Sequence, residues 1–371
     1  MTRQEACLAL NLIPQIGPVR ARKLIAAFGG PEQVLKASAR DLTRVEGIGE
    51  AHAQAVAGWE TQVDLPGELA KVQARGLTLL TETDELFPPS LRGLRDAPLL
   101  LYVWGQLLPR DHHAIGIVGS RHATVYGLSA TKRLGYQIAF AGRTVISGLA
   151  RGIDTAAHEA ALAAKGRTIA VIGSGIGKLY PPENQALAGR IAQSGAVVSE
   201  YPVDRIADKQ TFPYRNRIVA GWSAGLLVVE APARSGALIT AQQAVDNGRT
   251  VYAVPGPIDK PTSQGCNRLI QQGAKLVIEA EDILADLDTL FPPAHIPQDA
   301  RADNAPPAAP PVSLDEEIVL KAVKDGAAHI DEIITASGLT PATVNVCLMR
   351  LEMKRLLRAL PGRCYEAAGS S

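Results

Sequence analysis

Hydrophobic positions between residues 99 and 290 form short, nearly continuous apolar runs, separated by helical stretches of about 10–15 residues. Such runs are typical of parallel strands that helices cover on both faces. The alternation therefore predicts a doubly wound, Rossmann-like α/β sheet. The predicted strands are 114–119, 144–148, 168–173, 196–200, 225–231, 251–256 and 275–279. The predicted helices between them include 126–141, 151–165, 236–247 and 265–272.

The first 65 residues have a pattern that is helical throughout. Two segments, 13–29 and 45–56, each place a glycine-containing turn before an Ala-rich helix, which leaves backbone N–H groups exposed where that helix starts. This arrangement resembles a tandem helix-hairpin-helix (SAM-like) module, which in other proteins holds DNA phosphates without reading sequence. Residues 1–60 contain seven Lys/Arg and six Asp/Glu, so a small packing domain is the favoured alternative.

Residues 291–312 separate the predicted sheet from the C-terminal part of the chain. Seven of these 22 residues are proline, which predicts an extended, semi-rigid linker. Beyond it, the pattern predicts three helices and a β-wing, the order of a winged helix, whose third helix usually enters the major groove. This tail has seven Lys/Arg and eight Asp/Glu, so we favour a protein contact or a regulatory role over base reading. The predicted domains are 1–65, 66–290 and 313–371, with 291–312 as the linker.

Composition narrows the classes of function. The chain is 46% hydrophobic and 20% charged, so a sizeable core is expected and global disorder is excluded. Its 38 Lys/Arg and 37 Asp/Glu give a net charge of +1, so anion binding requires local clustering of cations. Four scattered cysteines fit neither a disulfide framework nor a metal site. With no signal-peptide pattern and no long apolar run, we expect a cytoplasmic protein that holds no metal or cofactor and does not contact membranes.

Glycine and polar residues concentrate where the predicted strands end, which is where ligands bind in doubly wound sheets. Small residues let backbone N–H groups approach an anion, and Arg121 and Lys178 add positive charge. Several such turns on one edge predict an extended phosphate-binding surface. The turns are 119–121, 147–152 and 173–178, together with Ser235 and Gly236 at the start of a helix.

Two nucleotide-binding motifs fail on spacing. A Walker A loop needs a glycine where Ile172 stands and a Ser or Thr where Leu179 stands. A dinucleotide fingerprint that started at Gly173 would need a glycine in place of Lys178.

Carboxylates also occur near the strand ends, at Asp154, Glu200 and Glu230. They form no paired acid–base motif, and the chain has no GxSxG nucleophile elbow and no metal-ligand spacing. We expect Asp154 and Glu230 to orient arginine and backbone groups of their own loops. The sequence therefore favours a protein that is not an enzyme.

Aromatic residues are 4% of the chain, yet Tyr180, Tyr201, Phe212 and Tyr214 fall within 35 residues. Basic groups are interleaved with these rings, as in proteins in which cations follow a single strand of nucleic acid while rings stack on its unpaired bases. For Tyr201 and Phe212 we favour the alternative that the rings cap the edge of the sheet. Two arginines, Arg215 and Arg217, flank Asn216 and need anionic or carbonyl partners.

An ordered set of motifs then becomes recognisable between residues 119 and 274. The chain is similar to the DNA-processing protein A family (DprA, also called Smf), closely over about 80–290, and many members also carry the helical front and the winged-helix tail. The motifs are GSR, SGLARGIDTAAH, AVIGSGIGKLYPPEN, SEYP, FPYRNRIVAG, VVEAPARSGALITA, AVPG and GCNRLIQQGA.

The resemblance implies an extended Rossmann domain that binds and protects incoming single-stranded DNA without cutting it. It also implies that the protein loads the recombinase RecA onto DNA past single-strand-binding protein during natural transformation. A homodimer formed through the later part of this domain is implied as well, and we place its interface in the region 257–278. Carried over by motif, the DNA-binding residues are Ser120, Arg121, Ser147, Gly148, Lys178, Asn184, Arg215, Arg217, Ser235 and Gly236.

Two other hypotheses stay open. One is a nucleotide-processing enzyme of the phosphoribohydrolase type, but the loop of such enzymes carries a glutamate where this chain has ARSGALITAQQA, with Gln242 and Gln243. The other makes the DNA sites subordinate and treats the two small modules as protein adaptors.

Overall fold

The computed structural model describes residues 1–290, 313–353, 356–360 and 364–367. The chain divides into two compact units, Met1–Pro292 and Pro293–Ser371, which are taken one at a time below. The linker predicted at 291–312 lies outside the described residues, and the predicted boundary at 65/66 falls inside the first unit.

Nine strands of the first unit form one mixed sheet in the order β1-β2-β6-β5-β4-β3-β7-β8-β9. The strands are β1 (Thr78–Thr81), β2 (Leu100–Gly105), β3 (Ile115–Val118), β4 (Val145–Ser147), β5 (Thr168–Ile172), β6 (Ala196–Ser199), β7 (Gly225–Val228), β8 (Thr250–Ala253) and β9 (Lys275–Leu276). Strands β3 to β9 pair in parallel and match the seven predicted strands. The antiparallel pairs β1–β2 and β2–β6, which extend the sheet at one side, were not predicted.

Helices cover the sheet on both faces, as predicted for a doubly wound fold. In chain order they are α1 (Arg3–Leu12), α2 (Pro18–Phe28), α3 (Pro31–Lys36), α4 (Ala39–Leu42), α5 (Glu50–Ala57), α6 (Trp59–Gln62), α7 (Leu65–Ala74), α8 (Pro89–Arg92), α9 (Val125–Phe140), α10 (Ile153–Ala163), α11 (Gln185–Ser194), α12 (Thr211–Trp222), α13 (Gly236–Asp246), α14 (Gln264–Gln271) and α15 (Glu281–Leu290). None of the helices in the described part of the chain is long and apolar enough to cross a membrane.

Apolar side chains from these helices build three cores in the first unit. Helices α9, α10 and α15 pack on one face of the sheet, for example through Leu134, Ile153 and Ile283. Helices α8, α12, α13 and α14 pack on the other face, where Trp222 is fully buried. The third core joins the N-terminal helices to β1, β2, β5 and β6, so these helices are continuous with the edge of the sheet.

The second unit contains α16 (Leu314–Lys324), α17 (Ile330–Ser337) and α18 (Pro341–Met353), followed by the antiparallel strands β10 (Leu357–Leu360) and β11 (Cys364–Ala367). The predicted winged helix is therefore confirmed. Ser313 caps α16 with a capping box, and Gly338 ends α17 in the left-handed region, at φ 65°. Its core contains Val344, Leu348 and Leu351 of α18.

Candidate nucleic-acid interface

The turns that follow β3, β4 and β7 meet at the carboxyl edge of the sheet, as the sequence predicts, whereas the predicted 173–178 turn after β5 contributes no residue to the cavity at that edge. Together with the start of α12 and α13 they surround an open cavity of about 580 Å³, here called the rim cavity. Five of the ten predicted DNA-binding residues line it, namely Ser120, Arg121, Arg215, Ser235 and Gly236. Its lining also includes Asp154, Tyr180, Lys209, Phe212, Asn216 and Arg234.

The Gly119-Ser120-Arg121 turn is fixed by the loops on either side of it. The Ser120 N–H donates to the Glu230 carbonyl at 2.7 Å, and the Ser120 carbonyl accepts from Ile153 N–H at 3.2 Å. Gly152 has φ 73°, and a Cβ there would lie 2.3 Å from the Ser120 carbonyl oxygen. Only glycine therefore lets the 147–152 turn approach the 119–121 turn this closely.

Glu230 orients the backbone that leads from this turn into α9. Its carboxylate accepts from Thr124 N–H at 2.8 Å and from the Thr124 hydroxyl at 2.9 Å. Thr124 in turn caps α9. Glu230 therefore orients the loop after β3, and not its own loop as expected from the sequence.

A cation and two rings form one wall of the rim cavity. The Arg121 guanidinium lies 4.8 Å from the centroid of the Phe212 ring, within cation–π range. The Phe212 and Tyr180 rings are 5.7 Å apart and tilted by 52°. Phe212 therefore lines the cavity in addition to lying beside the sheet edge, whereas Tyr201 is outside the lining and its hydroxyl donates to the Thr211 carbonyl.

Arg215 lies at the floor of the cavity and is 4% exposed. It donates through Nη1 to the carbonyls of Gly148 and Val171, and through Nε to the Asn216 side chain. A Cβ on Gly148 would lie 2.1 Å from this Nη1, so glycine makes room for the guanidinium. The loop after β4 and the end of β5 are thus held by one buried cation.

Asp154 lies beside this arginine and is the only carboxylate among the described residues that line the cavity. It accepts from the N–H groups of Gly148 and Ala150 at 3.1 and 3.3 Å. Burial raises the pKa of Asp154 and lowers the pKa of Arg215, and the charge of each opposes the shift of the other. Asp154 therefore orients backbone groups of the turn before it, as expected from the sequence, whereas the arginine beside it belongs to α12 and not to the same loop.

Arg217 is turned away from the cavity. It is 3% exposed, and its Nη2 donates to both carboxylate oxygens of Glu200 at 2.6 Å. Its Nε lies 3.5 Å from Asp96 Oδ2. Of the arginines that flank Asn216, one therefore faces the cavity and the other is neutralised inside the protein.

The other four predicted residues also lie outside the lining. Ser147 donates to the Ile117 carbonyl, and Asn184 donates to the Leu149 carbonyl and the Thr155 hydroxyl, so both are buried supports of the turns. Gly148 lacks a side chain where the Arg215 guanidinium lies, and so leaves space for it. Lys178 is exposed and lies two residues before Tyr180.

Lys209 and Arg234 are cations of the lining that sequence reasoning missed. Arg234 directly precedes Ser235 in the same turn, and this position next to a predicted binding residue could have identified it as a cation of the lining. Lys209 lies two residues before α12, in a segment without a glycine-rich pattern, and no local signal marked it.

Family models match three parts of the chain. They are DNA recombination-mediator protein A over residues 78–288, the DprA winged helix domain over 303–363, and the SAM-like helix-hairpin-helix tandem over 8–57.

Curated relatives and solved structures resemble the chain over most of its length. Protein Smf of Synechocystis is 32% identical to this chain, and the match covers 98% of this chain and 99% of that protein. DNA processing protein DprA of Bacillus subtilis is 42% identical, and the match covers 60% of this chain and 75% of that protein. The X-ray structure of DprA from Streptococcus pneumoniae matches with a TM-score of 0.68 at 34% identity, and covers 77% of this chain and 98% of that one. A structure of DNA processing protein A from Helicobacter pylori, which concerns that protein's single-stranded DNA binding mode, matches with a TM-score of 0.52 at 27% identity. The match covers 57% of this chain and 96% of that one.

The buried position of Arg217 generates a stability prediction. Arg217→Ala leaves the Glu200 carboxylate buried without its guanidinium, so we expect a loss of about 3–5 kcal/mol in the free energy of unfolding. The double variant Arg217→Met with Glu200→Met removes both charges and should recover most of that loss. Urea unfolding followed by circular dichroism measures each value.

The exposed Arg190→Ala on α11 is the matched control and should change stability by less than about 0.5 kcal/mol. A loss below about 1 kcal/mol for Arg217→Ala would contradict this account of the pair, because that is the range of an exposed ion pair.

Proposed function

The chain belongs to the DNA recombination-mediator protein A family, also called DprA or Smf, and we propose that it binds single-stranded DNA in the rim cavity. We further propose that it protects incoming DNA in the cytoplasm and loads a RecA recombinase onto it during natural transformation. The observation that carries the DNA-binding proposal is the wall in which Arg121 lies over Phe212 beside Tyr180. Cations next to rings suit a strand whose bases are unpaired.

The charge of the lining supports an anionic ligand. Arg121, Lys209 and Arg234 come from three different loops, while the single carboxylate of the described lining is buried and bonded to two backbone N–H groups. The lining also includes Ser235 and Gly236 at the start of α13, where the helix dipole favours negative charge. A polyanion thus meets positive groups on several sides of the cavity.

The ten residues predicted to bind DNA take different roles in this proposal. Arg121 binds a phosphate, and Arg215 contributes positive charge at the floor of the cavity. Lys178 contacts the DNA just outside the cavity. Ser120, Ser235 and Gly236 shape the turns that face the strand. Ser147, Gly148, Asn184 and Arg217 support those turns from behind without touching DNA.

The arrangement also supports a binding function without catalysis. An enzyme of the phosphoribohydrolase type needs an available acid or base beside its ligand. The only carboxylate of the described lining, Asp154, is bonded to two N–H groups and lies beside a buried arginine. The side chains of Gln242 and Gln243, in place of the expected glutamate, supply no base either.

Arg121 is the exposed cation that lies over the Phe212 ring of the rim cavity. Arg121→Ala should weaken oligo-dT binding by about tenfold or more, because it removes a charged contact to phosphate. It should also lower the slope of log affinity against log salt by about 0.7 per lost phosphate contact. Fluorescence anisotropy at several salt concentrations measures both quantities.

Arg234→Ala should act in the same direction, and the exposed Arg190→Ala on α11 is the control that should leave affinity and slope unchanged. If Arg121→Ala and Arg234→Ala both bind like the unchanged protein, the rim cavity is not the DNA site.

We also propose that the chain forms a homodimer through the region after β8. Strand β9 is the last strand of the described sheet, and edge strands are prone to pair with other chains. Leu276 and Ile278 are exposed there, and Ile258 in the preceding loop is 91% exposed. A cleft of about 600 Å³, lined by Leu269 among other residues, reaches Lys275, the residue before Leu276.

The double variant Leu276→Glu with Ile278→Glu should therefore be a monomer when measured by light scattering at micromolar concentration. The apolar surface can no longer be buried once charges replace it. Short oligo-dT should still bind, because the rim cavity is lined by other residues. A monomeric unchanged protein, or a double variant that remains dimeric, would reject this interface.

RecA loading is the finer part of the proposal and rests on family membership. On DNA coated with single-strand-binding protein, the chain should accelerate the DNA-dependent ATPase activity of RecA, and Arg121→Ala should abolish the acceleration. Equal ATPase rates with and without the chain would contradict loading while leaving DNA binding intact.

A further inference from the structure

The outer side of α9 carries an unusual set of exposed rings. The helix begins four residues after Arg121, and three of its aromatic side chains reach solvent. Tyr126 is 49% exposed, Tyr136 is 39% exposed and Phe140 is 60% exposed. Exposed aromatic groups that lie close together usually mark a binding surface.

These rings share one side of the helix. With 3.6 residues per turn, Tyr126, Ser129, Arg133, Tyr136 and Phe140 fall within an arc of about 100°. These five residues are called the α9 stripe below. The opposite side of the helix packs on the sheet through residues such as Leu134 and Ile138. The stripe is about 21 Å long at a rise of 1.5 Å per residue.

The chemistry of the stripe resembles that of the rim cavity. Helix α9 contains no Asp or Glu, and Arg133 and the neighbouring Lys132 are both exposed. The Tyr136 and Phe140 rings stack on each other at 5.9 Å with an interplanar angle of 10°. Rings and cations are thus interleaved again, without a carboxylate between them.

Two hydrogen bonds hold the stripe in place. The Tyr126 hydroxyl donates to the Pro255 carbonyl at 2.7 Å, and Arg133 Nη2 donates to the Ile278 carbonyl at 2.7 Å. Both partners are uncharged carbonyl groups, so the positive charge of Arg133 is not cancelled by these bonds. The side chains of Tyr126 and Arg133 are therefore fixed before any ligand arrives.

We propose that the α9 stripe is a second contact surface for single-stranded DNA, which takes up the strand as it leaves the rim cavity past Arg121. The bases would stack on Tyr136 and Phe140, while Lys132 and Arg133 pair with phosphates. The inference rests on the proposed function, because it extends the path of a strand already held in the cavity.

Charge and continuity favour this occupant over a protein partner. Tyr126, the first ring of the stripe, lies five residues after Arg121, and Tyr136 and Phe140 follow about 15 and 21 Å further along the helix. The helix adds two exposed cations, Lys132 and Arg133, and no carboxylate to this path, which suits a polyanion.

The test compares oligo-dT of about 6 nucleotides with oligo-dT of about 20 nucleotides. At about 3.4 Å per nucleotide, only the longer strand can cover the rim cavity and the whole stripe. Tyr136→Leu with Phe140→Leu removes the rings and keeps apolar, helix-forming side chains. We expect affinity for the long strand to fall by about 5-fold or more, and affinity for the short strand to stay unchanged. Tyr136→Phe keeps a ring at the same place and is the matched control, which should bind both lengths normally.

Lys132→Gln supplies an independent measurement. The salt slope should fall by about 0.7 for the long strand only, because one phosphate contact is lost. Thermal unfolding and light scattering of every variant show whether fold and oligomeric state are kept.

Three results would overturn the inference. They are unchanged long-strand affinity in the double variant, an equal loss for both lengths, and a changed oligomeric state, which would assign the stripe to a second copy of the chain. The proposed function fails separately, if Arg121→Ala leaves binding of the short strand unchanged.

Discussion

The buried guanidinium of Arg215 is the interaction on which the rim depends. It binds carbonyl groups from the loop after β4 and from β5, and it reaches them only because Gly148 has no side chain in its way. Asp154 balances this cation from the same loop while it accepts two backbone N–H groups. One charge placed in the interior therefore sets the position of several turns, and the exposed cations above them act on a rigid floor.

The two arginines of helix α12 point to opposite sides of the helix and have different partners. Arg215 faces the rim cavity, whereas Arg217 pairs with the buried Glu200 and lies near the partly exposed Asp96. The carbonyl of Glu200 also accepts from the Asn11 side chain of α1 at 3.0 Å. The helix that carries Phe212 is thereby anchored to the N-terminal helices as well as to the sheet.

Much of the fold was predictable because its signals are local. Apolar runs predicted β3 to β9, and the order of helices and strands in the tail predicted the winged helix. The convergence of the turns also followed from strand order in parallel sheets. The pairing of Arg217 with Glu200, and the burial of Asn184 against Leu149, were not predictable, since those partners are distant in the sequence and neighbours only after folding. The resemblance to a family carried whole motifs across and could not separate residues that touch a ligand from residues that support them.

The antiparallel strands β1 and β2 have a mechanical consequence. They join the N-terminal helices to the same hydrogen-bonded sheet whose opposite side ends in β9, and one continuous core fills the junction. Helices α1 to α7 are therefore rigidly attached to the sheet. A molecule that binds these helices is held at a constant distance and angle from any ligand in the rim cavity.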